Sequence, residues 1–226
     1  MSNQLLMSQV ILQQHSLLTA DQYTVEQLKK RYKVSEDWSI EQIDQWFRQA
    51  LADWYQELLD LDIPSKLIDP IFLIHEKLHD TTVLNEAVDQ EILQFFKGPF
   101  DHQALQVYAY QVLDFYRLEK YLRFKTIDQD VPEGYLKIDE FKHYQDIDRL
   151  ILNSRYYKVL KGLNLDNFYQ KTQQAHNEAL KDFTWGLQVE ESIFSMAYLM
   201  VQQLRNVRAF LKAVRYGFDP KEFIYV

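Results

Sequence analysis

His75-Glu76-Lys77-Leu78-His79 is the segment whose residue types and spacing come closest to catalytic chemistry. On a helix, two histidines at i and i+4 face the same way and can bind zinc, with Glu76 as general base on a bound water. The surroundings weaken that reading. Lys77 stands between Glu76 and His79, Asp80 follows where an apolar residue is expected, and Asn85 takes the place of a third histidine. Thr82 replaces the glycine that would turn the chain, and Glu86 or Glu91 would have to complete the ligand set. A second metal reading pairs Glu76-x-x-His79 with Glu140-x-x-His143, the ligand spacing of di-iron carboxylate bundles. Its remaining carboxylates would come from Glu41, Glu57, Glu91 or Glu119, none of which lies in a plainly buried stripe. Asp139 and Glu140 also follow Pro132 and Gly134, where acids complement a helix N-terminus. No Gly-x-Ser-x-Gly elbow, phosphate-binding glycine loop or cysteine occurs. The expectation is a protein that is not an enzyme and carries no cofactor, with Glu76, His75 and His79 as the catalytic and metal alternative.

The elements that must position these residues are helical. The chain has 226 residues, 14 Phe, 15 Tyr and 4 Trp, but only five Gly and five Pro. Such a chain buries about 70 % of its unfolded surface and is too aromatic to be disordered. Ile43, Trp46, Phe47, Ala50, Leu51, Trp54, Tyr55 and Leu58 trace one buried helical stripe, with Ser39 and Gln42 as a capping box. Asp69-Pro70 reads as another helix start. A helix from Leu105 to about Lys125, capped by Asp101, and a last one from Ile193 to Gly217 complete the long elements. Breaks are expected at 61–65, 97–100, 127–134 and 162–164. The fold class is all-α, a bundle of roughly eight to ten helices, read either as one compact domain or as small lobes divided at residues 1–100 and 101–226.

Charge narrows the partners. The net charge of −8 disfavours nucleic acid, which selects clustered cations. No secretory leader and no apolar run long enough to span a bilayer are read from the sequence, so a cytoplasmic location is expected. Two helix ends are nevertheless basic: Arg117, Lys120, Arg123 and Lys125, and a stripe of Arg205, Arg208, Lys212 and Arg215 at spacings of three, four and three. They read either as cations complementing helix C-termini and acidic neighbours, or as a docking surface for an acidic partner.

The two basic segments also resemble each other. Leu118 to Lys125 is followed by a Pro/Gly turn and Asp139-Glu140-Phe141, and Asn206 to Gly217 is followed by Asp219-Pro220-Lys221-Glu222-Phe223. The arrangement resembles the C-subunit family of V/A-type rotary ATPases (the d-subunit in eukaryotes), in which an Asn-led basic helix precedes a glycine turn. Arg117 departs from that pattern where Asn is expected, and Lys212 where Arg is expected. The resemblance implies a non-catalytic, all-helical socket between rotor shaft and membrane ring, peripheral to a membrane complex. Its partners would be shaft and ring subunits, bound through the eight basic residues. A zinc hydrolase and an unrelated helical adaptor are the competing functions.

Overall fold

The computed structural model describes residues 2–79, 97–127, 129–144 and 146–224, with the side chains of 74–79 excepted. These residues form an all-α fold with ten α-helices and no strand among them. They are α1 (Asn3–Gln13), α2 (Val25–Tyr32), α3 (Ile40–Asp60), α4 (Ser65–His79), α5 (Gln103–Phe124), α6 (Ile138–Tyr144), α7 (Ile147–Leu152), α8 (Tyr157–Leu160), α9 (Phe168–Lys181) and α10 (Val189–Tyr216). No described helix is long and apolar enough to cross a membrane.

Two compact units result, one of residues 1–71 with 184–226 and one of residues 72–183. This division differs from a boundary at residue 100. The last helix packs on α1 and α3 and completes the core begun by the first helices. In the first unit α10 is the spine, buried on nearly every side from Val189 to Ala213, its Ser192, Ser195, Gln202, Gln203 and Asn206 included. Helices α1 and α3 pack on it. Leu18, Tyr23, Leu28, Val34 and Ile43 close with Val207, Phe210 and Leu211 of α10 into one apolar cluster. The buried Gln203 is satisfied there, accepting from the Leu18 amide and donating to the Tyr32 hydroxyl. The indole of Trp54 donates to the Ala197 carbonyl at 3.3 Å.

In the second unit α5 is the spine. Phe115, Leu118 and Tyr121 pack with Leu136, Phe141, Leu150, Ile151, Tyr156, Leu160 and Phe168.

Local signals explain most boundaries. Ser39 accepts from the Gln42 amide while the Gln42 side chain accepts from the Ser39 amide, the reciprocal capping box that starts α3. Gly217, at φ 74°, ends α10 in the left-handed conformation glycine favours. Two expected starts move. Helix α4 begins at Ser65, so Pro70 lies inside it, and Asp69 accepts from the Tyr55 hydroxyl at 2.8 Å instead of capping. At α5 the cap is His102, whose extended backbone lets its Nδ1 accept from the Leu105 amide at 3.1 Å, in place of Asp101.

Candidate functional site

The residues expected to do chemistry are divided between the two units, and some lie outside the described residues. His75, Glu76 and His79 close α4 in backbone terms, and their side chains, with Glu86 and Glu91, lie outside the described residues. Glu140 accepts from the Lys137 amide at 2.6 Å at the start of α6, and His143 is exposed, edge-on to Tyr144 with ring centroids 4.8 Å apart. Glu41 and Glu57 belong to the first unit, Glu119, Glu140 and His143 to the second. Glu57 lies 3.3 Å from His15 and Glu119 pairs with Arg123 at 2.8 Å. Among the described residues no three His, Asp or Glu side chains gather into a metal-sized group.

The basic segments are partly buried and partly paired within the chain. Arg117 is 0 % exposed and cannot face a partner. Its guanidinium donates to the Val131 and Pro132 carbonyls at 2.8 and 3.1 Å. On the same helix Lys120 donates to the Tyr116 hydroxyl, and Lys125 caps α5 in the left-handed conformation with its ammonium over the Tyr121 ring. In the C-terminal stripe, Arg208 and Lys212 converge on Asp44 of α3, at 2.6 and 2.7 Å. Burial alone would raise the Asp44 carboxyl, but the two cations overcome it and hold it below its ordinary range. Arg208 also lies over the Phe47 ring, 4.8 Å from its centroid. Arg205 donates to Gln202, and Arg215 is exposed at the end of α10. The stripe clamps α3 to α10, with its two central cations already committed.

Asp114 is the most perturbed acid among the described residues, and sequence reasoning passed over it. Its signal was a lone acid inside the apolar run Val112-Leu113-Asp114-Phe115. It is 0 % exposed and accepts from the Tyr156 hydroxyl at 2.6 Å and from the Tyr135 and Leu136 amides at 3.0 Å each. Burial pushes its carboxyl up to about 6, against the lowering effect of those donors and of Arg117. The Tyr156 hydroxyl is pushed up as well, by burial first and then by the Asp114 charge. Together Asp114 and Arg117, one turn apart on α5, hold five groups of the 131–156 region. The chain there comes so close that a Cβ on Gly134 would collide with Asp114 and come within 2.5 Å of the Tyr110 carbonyl. With no exposed atom and three hydrogen bonds accepted, Asp114 holds this loop rather than meeting a substrate.

The first unit carries a different kind of feature, an apolar surface held open by polar clamps. Gln9 and Gln13, one turn apart on α1, donate to the Gly186 and Thr184 carbonyls, each at 3.2 Å. That brings the turn before α10 alongside α1. On this turn Trp185 is 72 % and Leu187 96 % exposed. Leu6 and Val10, beside the two glutamines on the helix, are about half exposed, and Met7 more so. Beyond them Met7 and Ile11 line a shallow groove whose far wall is Asp60, Leu61 and Asp62 at the end of α3. Ser8 fixes that wall, donating to the Leu61 carbonyl at 2.6 Å, and Gln4 donates to Asp62 at 3.3 Å.

No family model, no curated protein and no solved structure matches this chain.

Proposed function

We propose that the protein is a non-catalytic helical interaction module that binds a protein partner through the α1 surface of its first unit. The observation that carries this is the juxtaposition of five large apolar side chains, Leu6, Met7, Val10, Trp185 and Leu187, on elements fixed by Gln9 and Gln13. Large exposed apolar patches with polar rims are characteristic of association sites, because leaving them in water forgoes about 25 cal/mol per Å². A rotary-ATPase socket is a narrower version of the same function. Its basic determinants fare unevenly, since Arg117 is buried and Arg208 and Lys212 are engaged by Asp44, leaving the α1 surface as the better-supported contact.

The test is affinity capture from the source cells with the full chain and with a Met7→Ser/Leu187→Ser double variant, both checked for helical content. A partner retained by the wild type and lost by the variant supports the proposal. Recovery of shaft or ring subunits would favour the narrower version. Equal capture by both chains would contradict the assignment to this surface.

A further inference from the structure

The chemistry around this surface specifies its partner more closely. Resting on the interaction reading above, we infer that the α1 surface takes a cationic amphipathic helix. The surface is assembled from three stretches of chain: α1, the second half of α3 with the turn after it, and the 184–188 turn leading into α10. No Lys or Arg occurs in residues 1–28, 49–65 or 184–204. Asp53, Glu57, Asp60 and Asp62 are all exposed along the α3 side. Asp60 and Asp62 line the same groove as Met7 and Ile11. Helix α1 itself is uncharged over its whole length. An apolar ridge with acids on its flank and no Lys or Arg in the stretches that build it is complementary to one kind of helix. Its apolar face would lie on Leu6, Met7 and Val10, with Trp185 and Leu187 at its end, while Lys or Arg on its edge reach Asp60 and Asp62. A second copy of this chain suits the surface less well, because it would set acidic flank against acidic flank. An anionic membrane would meet acids where it needs cations.

Glu57 lies beside His15, but Asp60 and Asp62 are not held by two cations in the way Asp44 is. Asp60 accepts from Gln56 and Asp62 from Gln4, both neutral donors, so their charges are uncompensated by those contacts.

A fluorescein-labelled peptide of about 18 residues, with Leu at helical spacing and Lys on the flanks, is the probe. Its twin carries Glu in place of Lys. Each is titrated by anisotropy into the full-length wild type, Asp60→Lys/Asp62→Lys, Met7→Ser/Leu187→Ser, and a remote control, Glu26→Lys. The inference requires the Lys peptide to bind the wild type at least about tenfold more tightly than its twin. Both surface variants should weaken it about tenfold, and Glu26→Lys should stay within about twofold. Two results overturn the cationic assignment while leaving an interaction surface in place. One is equal binding of the twins with loss in the Met7→Ser/Leu187→Ser chain. The other is a wild-type dimer that this variant dissociates. Binding of the Lys peptide that is indifferent to both surface variants reflects net charge alone and overturns the inference. Failure of both peptides, together with equal capture in the preceding experiment, overturns the interaction reading as well.

Discussion

Asp114 shows how one residue can hold a loop without touching solvent. Its carboxylate has lost its hydration, and three hydrogen bonds plus the nearby Arg117 guanidinium restore only part of that loss. A carboxyl raised from its ordinary 3.8 to about 6 binds its proton more tightly in the folded chain than in the unfolded one. The sign follows directly: this group favours folding more as pH falls from about 6 toward 3.8, and over the full span the gain is about 3 kcal/mol. A carbon-13 carboxyl titration should show Asp114 with a midpoint near 6. A midpoint below its ordinary range would mean that the donors outweigh burial. Gly134 tests the same packing from the other side. Gly134→Ala should lower the unfolding free energy by about 2–3 kcal/mol in a denaturant titration, because the added methyl has no room beside Asp114 and the Tyr110 carbonyl. Tyr156→Phe removes one donor to Asp114 and should cost about 1–2 kcal/mol in the same assay.

Between elements, the clamp of α3 on α10 is electrostatic at one end and apolar along the rest. Asp44 and Phe47, one turn apart on α3, receive Arg208 and Lys212, one turn apart on α10. Asp44→Asn should destabilise the protein by about 1 kcal/mol at neutral pH, as expected for a partly exposed pair. Because the Asp44 carboxyl is held low, that contribution is present above its ordinary range and is lost as pH falls below it. Wild type and variant should therefore converge in strong acid, read from thermal midpoints at each pH. Arg208→Glu/Lys212→Glu places three carboxylates together and should lower the midpoint by about 5 °C. These elements also show what the sequence could and could not reveal. The α3 stripe, its Ser39–Gln42 box and the Gly217 stop were legible because each is a local pattern with its own physical cause. Asp69-Pro70 misled because a proline in the first turns of a helix looks alike whether it begins the helix or sits one turn inside. At the basic ends two readings stayed open, pairing with acidic neighbours or docking of a partner, for a different reason. Spacing places Arg208 and Lys212 on one face, but only the tertiary fold brings Asp44 to that face, and only the 131–136 chain turns Arg117 inward.

Across the whole molecule, the first unit joins residues 1–71 with residues 184–226, so the features of the α1 surface are far apart in sequence. Gln9 meets Gly186 and Ser8 meets Leu61 across separations that no local pattern encodes. That is why the surface was invisible as a motif, although each of its residues was in plain view. The first unit is also electrically divided along α10, which at 28 residues is about 42 Å long. Its N-terminal half carries no Lys or Arg, and its cations begin at Arg205. A cationic helix on α1 would lie at the end where none of them repels it. Hydrogen exchange of the full chain, free and with the Lys-flanked peptide, tests this placement most directly. Exchange should slow at residues 3–13 and 184–188, with α5 and the C-terminal turns of α10 unchanged. Protection confined to residues 117–125 or 205–216, with α1 unaffected, would contradict it and return the binding face to the basic helix ends.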